Sequence, residues 1–257
     1  MEMRLGDTTP TAIRDLWGGC MHRVTSAQYL EDVAGIMVSE IYERFQASLV
    51  MTRAFLTVPF QSLPARQKEF ARELARSVAL ESLLKPATPV LSLVGTRGCV
   101  EEWNHVRRSH RHLALPLLSE SFVGAIPMMS RLLKELGLPL TWDQGPGEVL
   151  TGQTLGSEVG FFHIEDAAVA EDELGRKIIT AQEFVADYDV RSVFAVGGGI
   201  FGGAVLVFIL FSRERVEART VRMFMPLVNL LKAMMLTHCS MSRVFRPTNA
   251  DAVGRPS

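Results

Sequence analysis

Three of the six histidines of the chain lie close together, at His105, His110 and His112. In an extended segment His110 and His112 point to the same side, because side chains alternate along a strand. Imidazole is a common zinc ligand, and His105 or Cys99 could complete such a metal site. Four arginines surround the segment and oppose the binding of a dication through their positive charge. They are Arg97, Arg107, Arg108 and Arg111.

The same segment therefore has several interpretations. Besides a metal site, it could be an exposed basic loop with one or two packed histidines, or a site where arginine and histidine hold an anionic or polar small ligand. Cys99 near His105 could also act as a thiolate nucleophile. A metal-dependent enzyme built on His105, His110 and His112, or a thiol enzyme built on Cys99, is thus one alternative function, and no catalytic residue is assigned.

A second motif with possible chemistry is G-x-G-x-x-G, at residues 197–202, directly after the apolar run 193–196. A dinucleotide-binding loop needs a helix after it, because the helix N-terminus binds the pyrophosphate. Residues 204–211 are AVLVFILF, which favours a buried strand. The uncharged run 192–212 has the length of a membrane span, but its glycines weaken a helix. We predict two antiparallel core strands joined by a glycine turn.

The composition is that of a globular protein with a full core: 257 residues, 47% hydrophobic and 21% charged. A formal net charge of −1 does not indicate binding to nucleic acid or to an anionic membrane. The three cysteines are far apart in the sequence, and the N-terminus lacks the apolar core of a signal peptide. These features favour a reducing compartment and a cytoplasmic location.

The elements that position these motifs alternate between helix and strand without regular β-α-β order. Thr9-Pro10 is typical of a helix start, and further helices are predicted from Ser26, from Pro64 and up to Leu136, with a break or kink at Pro127. Strands are predicted at 47–58, 88–94, 112–118 and 158–166. The fold class is therefore α+β, with a mostly antiparallel central sheet flanked by N- and C-terminal helices.

Two patterns say which side chains share a face. In the strand 158–166, Phe161 and His163 lie on one face and Phe162 and Ile164 on the other. The last helix, 216–238, carries an apolar stripe with 3-4 spacing, which predicts either a dimer seam or a cover over its own sheet. The stripe consists of Val221, Phe224, Val228, Leu231 and Met235.

The final third of the chain resembles the closing elements of a GAF domain, in DVRSVFAVGGGIFGGAVLVFILFSRERV and FMPLVNLLKAMML. There, a last β-hairpin turned by glycine leads into a long helix. EEWNHVRRSHRHLALPL and IPMMSRLL, together with AQEFVADYDVRSVFAVGGG, resemble a GAF-like sensory region found beside PAS and histidine-kinase modules in bacterial signalling proteins. The residues on the recognisable motif are Trp103, Asn104, Ser109, His112, Pro116, Ile126, Pro127 and Met128.

The resemblance implies a regulatory ligand-sensing module and not an enzyme. Its element order would be helix, strand, helix, strand, ligand-side segment, strand, hairpin and helix. It implies a pocket between the sheet and the segment that covers it, roughly 99–135 with strand 158–165, and dimerisation through the terminal helices. The candidate ligand-binding residues are Cys99, Trp103, Asn104, His105, Arg108, Ser109, His112, Met128, Met129, Phe161 and His163.

The expectation that follows is a cytoplasmic bacterial sensor with an N-terminal helical extension at 1–25, one GAF-like domain at 26–240 and a disordered tail at 241–257. It would bind a haem, a flavin, a nucleotide, a small anion or no cofactor. It would form a homodimer and signal to a partner protein, with no nucleic acid and no membrane span. An interaction scaffold without a ligand is a further alternative.

Overall fold

An antiparallel sheet of six strands, in the order β3-β2-β1-β6-β5-β4, is the centre of the computed structural model, which describes residues 3–109, 112–136, 159–199, 204–238 and 243–247. The strands are β1 (Leu49–Pro59), β2 (Pro89–Gly98), β3 (Ala114–Pro116), β4 (Gly160–Ile164), β5 (Ser192–Gly199) and β6 (Val205–Ser212). Each strand pairs antiparallel with its neighbours.

The helices lie on both faces of this sheet. They are α1 (Pro10–Arg23), α2 (Leu30–Arg44), α3 (Ala65–Ser77), α4 (Glu120–Gly124), α5 (Pro127–Glu135), α6 (Gln182–Asp187) and α7 (Ala218–His238). Short 3-10 helices occur at Leu5–Asp7, Val24–Ser26, Phe60–Ser62, Glu81–Leu83, Glu101–Asn104 and Val106–Arg108. No helix in the described part of the chain is long and apolar enough to span a bilayer.

One face of the sheet, which we call the helix face, packs against α2 and α7, and α1 packs against these two helices. Phe224 of α7 lies at its centre, with ring centroids 5.5 Å from Phe45 and 5.4 Å from Phe194. Alternation along each strand brings the apolar side chains of this face together. The strand residues of the helix face include Ala54, Leu56, Val58, Val90, Val94, Phe194, Val196, Leu206, Phe208 and Leu210.

The opposite face, which we call the covered face, packs against residues 99–136 and 165–190. Its strand residues include Met51, Phe55, Leu91, Leu93, Phe162, Val193, Ala195, Val205, Val207, Ile209 and Phe211. We call the described residues within 99–136 the covering segment. Both faces are apolar and buried, so the sheet forms the middle layer of the molecule.

The predicted α+β fold class with an antiparallel sheet is confirmed. The element order expected from the GAF resemblance also recurs, with α2, β1, α3, β2, the covering segment, β4, the β5–β6 hairpin and α7 in sequence. The G-x-G-x-x-G motif is not followed by a helix, since β6 begins at Val205 and pairs antiparallel with β5. The match to a dinucleotide-binding motif is therefore accidental, as predicted.

The glycines of this motif require one correction. Gly197, Gly198 and Gly199 were expected in a turn, but they belong to β5 and pair with residues 205–207 of β6. A Cβ at Gly197 would lie 2.7 Å from the Leu206 oxygen and 3.1 Å from Leu136. Gly197 therefore allows the end of α5 to approach the sheet, while Gly202 lies outside the described residues.

Several element boundaries differ from the predictions because tertiary contacts determine where the element begins or ends. The predicted helix from Ser26 begins at Leu30, and β2 continues past Gly95 to Gly98. A Cβ at Gly95 would lie 2.9 Å from the Ala34 backbone, so this glycine allows α2 to contact the sheet and does not end the strand. The helix predicted after Pro64 spans Ala65–Ser77.

The apolar stripe of α7 covers the sheet of its own domain. Val221, Phe224 and Val228 are fully buried in the core of the helix face. The side chains of Leu231 and Met235 lie outside the described residues. The first half of the stripe is therefore occupied within the chain, and a dimer would need another surface of the terminal helices.

Residues 243–247, within the predicted C-terminal tail, contact the start of α2. The Leu30 and Glu31 N–H groups donate to the carbonyl oxygens of Arg243 and Val244, each at 3.0 Å. Val244 is buried against the helix-face core. The predicted domain boundaries themselves stay a prediction.

Candidate functional site

Trp103 lies over the end of β2 on the covered face. Its ring centroid is 4.7 Å from that of Tyr188 and 5.7 Å from that of Phe184. Asn104 holds this turn in place, because its Oδ1 accepts a hydrogen bond from the Gly98 N–H at 2.8 Å. A Cβ at Gly98 would lie 2.9 Å from Trp103 Cε3, so the close contact between indole and sheet requires glycine there.

Arg53 and Thr96 form a buried polar pair on this face, one row from Gly98. They are register partners on β1 and β2. The next register pair on the same face, two residues further along each strand, is Met51 and Gly98. Arg53 is only 8% exposed and Thr96 only 5%. Burial lowers the pKa of Arg53 to about 10, so the guanidinium is still protonated at neutral pH.

The Thr96 hydroxyl is buried, and none of the described residues forms a hydrogen bond with it. Buried polar groups in folded proteins normally have a partner in the protein or in ordered water. Thr52, one residue before Arg53, carries the same kind of buried, unsatisfied hydroxyl. Alternation places Thr52 on the helix face with Ala54 and Leu56, so Thr96 differs from it by lying beside a buried cation.

Sequence reasoning missed Arg53 and Thr96. The available signal was that Arg53 is the only charged residue in the apolar run 47–58, ASLVMTRAFLTV. Charged residues are almost never fully buried unless they are paired. Thr96 had no comparable signal, because threonine is common in strands.

Ser109 is buried, whereas the other predicted residues of the covering segment are half-buried or exposed. Its carbonyl oxygen accepts a hydrogen bond from Arg66 Nη2 at 2.9 Å, which ties the covering segment to α3. Its own hydroxyl has no hydrogen-bond partner within the described part of the chain. Ser109 therefore adds a third unsatisfied hydroxyl, located in the covering segment and not in the sheet.

The predicted histidines and arginine of this segment have different surroundings. His105 and Arg108 are exposed, and His112 is exposed with a φ of 55°. His110 lies outside the described residues. Among the residues that are described, no cluster of three His, Cys, Asp or Glu side chains could hold a metal ion. A metal site that includes His110 stays a prediction.

Cys99 is exposed at the end of β2, where its N–H donates to the Val50 oxygen at 3.0 Å. The pKa of Tyr42 is raised first by burial and then by the nearby Cys99 thiol. Since Tyr42 belongs to α2, the thiol lies towards the helix face. This position separates Cys99 from Trp103, although the two residues are close in sequence.

Phe161 and His163 share a face of β4, as predicted, but that face is the helix face. The Arg222 guanidinium of α7 lies 5.2 Å from the centroid of the Phe161 ring. His163 Nε2 is 2.6 Å from the carbonyl oxygen of Val216, just before α7. The structure therefore does not bring Phe161 and His163 together with Trp103.

The two methionines of α5 do lie on the same side as Trp103. Met128 and Met129 are half-buried against the core of the covered face. In the same helix, the Arg131 guanidinium lies 5.7 Å from the centroid of the Phe162 ring and Arg131 Nε donates to Glu135 at 2.7 Å. The candidate site therefore consists of Trp103, Arg53 and Thr96, and the two methionines share the covered face with them.

The chain is similar to solved structures at low sequence identity. It matches a GAF domain from a phosphoenolpyruvate-protein phosphotransferase of Coxiella burnetii with a TM-score of 0.49 and 9% identity, over 90% of this chain and 96% of that chain. It matches free methionine-R-sulfoxide reductase from Neisseria meningitidis, in complex with its substrate, with a TM-score of 0.46 and 11% identity, over 93% and 98%.

A phycoerythrobilin-bound GAF domain from a cyanobacterial phytochrome also matches, with a TM-score of 0.44 and 13% identity, over 90% of this chain and 97% of that chain. No protein-family model and no curated protein matches the chain. The order of the elements and the antiparallel sheet of the chain itself are those expected of a GAF-like domain, and we conclude that the fold is GAF-like.

Proposed function

We propose that this chain is a sensory domain that binds a small ligand between the covered face and the covering segment. The single observation that carries the proposal is the Thr96 hydroxyl, which is buried on the covered face and has no hydrogen-bond partner among the described residues. A polar pair in an apolar layer fixes the orientation of a ligand, which is how small-molecule sites obtain specificity. The resemblance to GAF-like regions of bacterial signalling proteins supports the same function.

The covering segment and residues 243–247 both contact Glu31 at the start of α2, and these contacts provide a path for the signal. Arg107 Nη2 lies 3.8 Å from Glu31 Oε1, and the same carboxylate oxygen accepts the Arg246 N–H at 2.7 Å. Arg246 Nε also pairs with Asp32. A ligand that moves the covering segment would change these contacts, and with them the residues that follow α7.

The proposal includes a homodimer formed through the terminal helices and a signalling partner in a bacterial cytoplasm. Trp17 and Met21 of α1 support a contact through this helix. They are 43% and 38% exposed and lie one turn apart, so they form an apolar strip on its outer surface. A signal reaching α7 can pass to α1, because the two helices are in contact.

The function is tested by native mass spectrometry of the purified chain with a defined panel of compounds. The panel contains acetate, pyruvate, succinate, benzoate, adenosine and guanosine nucleotides, haemin and flavin mononucleotide. We expect a stoichiometric complex with at least one compound, and weaker binding when Leu93→Trp fills the covered face. The matched control is Val94→Trp on the helix face. If no compound binds, or if the Val94→Trp variant loses binding and Leu93→Trp retains it, the proposal is wrong.

A further inference from the structure

We propose that His163 couples the covering segment to the start of α7, so that a movement of α5 shifts the first turns of this helix. The route deepens the proposed function, on which it rests, by naming the residue through which a change at the covered face reaches a terminal helix. The sequence selected His163 as a ligand-binding residue, but its hydrogen bonds join α5 to the junction before α7. We use junction for residues 213–217, which connect β6 to α7.

The backbone of His163 is tied to α5. The His163 N–H donates to Glu135 Oε2 at 3.3 Å, and its carbonyl oxygen accepts a hydrogen bond from Arg131 Nη2 at 3.1 Å. Arg131 Nε also donates to Glu135 Oε1 at 2.7 Å, so the two side chains act as one unit. They supply the two hydrogen bonds that a residue of a neighbouring antiparallel strand would form. A displacement of α5 therefore acts directly on the backbone of His163.

The side chain of His163 is tied to the junction. Its Nε2 lies 2.6 Å from the carbonyl oxygen of Val216. A carbonyl oxygen can only accept, so Nε2 carries the proton and donates in this hydrogen bond. Val216 is 2% exposed and comes shortly before Ala218, where α7 begins. The imidazole therefore connects β4 to a buried peptide group next to the first turn of the helix.

A second anchor of the junction does not involve α5. Ser192 of β5 is fully buried, and its hydroxyl donates to the Glu214 carbonyl oxygen at 2.7 Å and accepts the Val216 N–H at 3.3 Å. Val216 is thus bonded to β5 through its N–H and to β4 through its carbonyl oxygen. Of these two anchors, the one at His163 leads to α5. Movement of α5 should therefore change one of the two bonds that position Val216.

The test is a double-mutant cycle read by hydrogen exchange in residues 220–224, in the first turns of α7. Glu135→Ala removes the acceptor of the His163 N–H and the partner of Arg131, and we expect exchange to become about fivefold faster. Lys134→Ala, at the exposed neighbour in α5, is the matched control and should leave exchange unchanged. In a His163→Phe background, Glu135→Ala should add no further change, because the bond to Val216 is already absent.

A pair of amide variants separates a hydrogen-bonded link from a residue that only fills space. His163→Gln keeps an N–H donor at the end of a long side chain and should retain part of the effect of Glu135→Ala. His163→Asn carries the same amide on a shorter side chain and should lose it, which also replaces His163→Phe if that variant does not fold. If Glu135→Ala acts equally in all His163 variants, another contact carries the movement and the inference is wrong.

Ser192→Ala is the control for a junction that is merely loosened. It removes the anchor on β5, so exchange in 220–224 should rise, but Glu135→Ala should still add its own effect because the route through His163 is intact. Loss of that added effect in the Ser192→Ala background would overturn the inference, since any weakening of the junction would then abolish the coupling.

The ligand panel separates this inference from the proposed function. A compound that binds should change exchange in 220–224 of the unmodified chain, and should change it much less in His163→Asn. Equal changes in both chains refute the inference and leave the sensory function standing. If no compound binds, the proposed function is wrong, while the cycle in the chain without ligand still decides whether His163 links α5 to α7.

Discussion

Arg53 and Gly98 show how single residues shape the covered face. The arginine introduces a charge into an apolar layer, while the glycine two residues from Thr96 lets the Trp103 ring lie directly on β2. Arg53 determines the polarity of the candidate site, and Gly98 determines the distance between the sheet and the covering segment. Both effects can be measured by substitution.

Gly98→Ala should destabilise the fold. The added Cβ would lie 2.9 Å from Trp103 Cε3 and 3.0 Å from the Val50 oxygen, so the indole or the strand must move. We expect a loss of about 1–3 kcal/mol in the free energy of unfolding, measured with urea. The matched control is Gly18→Ala in α1, where nothing lies within 4 Å of the new Cβ. This control should gain up to about 1 kcal/mol, since alanine favours a helix.

Cys20 and Cys99 should differ in their reaction with thiol reagents. Burial raises the pKa of Cys20 to about 12, and Glu40 raises it further than Arg23 lowers it. At pH 8 Cys20 should therefore react only when the chain unfolds, whereas the exposed Cys99 should react at once. Peptide mapping after timed labelling distinguishes the two, and fast labelling of Cys20 in the folded chain would contradict the prediction.

The same shift predicts a dependence of stability on pH. Because the folded pKa of Cys20 lies above its ordinary value of 9.0, the folded state keeps the thiol proton where the unfolded state has lost it. Cys20 therefore favours folding below pH 9, and this contribution is lost as the pH rises from about 9 to about 12. Cys20→Ala should reduce the fall in unfolding free energy over this range.

At the scale of elements, the start of α2 joins the covering segment to residues 243–247. Arg107→Ala removes a contact to Glu31 from a side chain that is 58% exposed, so it should cost about 0.5 kcal/mol or less in stability. It should nevertheless speed hydrogen exchange in 243–247, because Glu31 also accepts the Arg246 N–H. Arg108→Ala, on an exposed neighbour, is the control. Equal exchange in both variants would exclude this path for the signal.

Local signals in the sequence predicted many of the elements. The Thr9 side chain accepts the Ala12 N–H at 3.2 Å, as its capping position predicts, and α5 begins at Pro127. The start of α2 was misplaced because the Asp32 carboxylate accepts the N–H groups of Gln28 and Tyr29. This interaction forms only once the first turn of the helix exists, so the spacing of apolar residues does not predict it.

The candidate site was only partly predictable, for a reason that lies in the sheet. Alternation showed that Phe161 and His163 share a face, and this is correct. It could not say which face lies under the covering segment, because both faces of the sheet are apolar. The sequence pattern of β4 therefore selected Phe161 and His163 for the pocket, although they lie on the face of the sheet opposite Trp103.

At the scale of the whole molecule, the outer surface of α1 is the part of the terminal helices that we expect to form the dimer. We predict that Trp17→Ser with Met21→Ser converts the dimer into a monomer while the helix content is unchanged. Light scattering after size exclusion and circular dichroism measure the two properties. Val169→Ser with Leu174→Ser changes two more exposed apolar residues, 62% and 76% exposed, and should leave the dimer intact. A monomeric unmodified chain would contradict the prediction.

The most direct test of ligand binding at the covered face is the emission of Trp103 as the sole tryptophan, in the Trp17→Phe and Trp142→Phe background. The control has Trp17 as the sole tryptophan, through Trp103→Phe and Trp142→Phe. Adding a compound of the panel that forms a complex in native mass spectrometry should change the Trp103 emission, with the same Kd, and change Trp17 much less. A bound compound that leaves Trp103 unchanged, or that affects both tryptophans equally, would show that the ligand does not occupy the covered face.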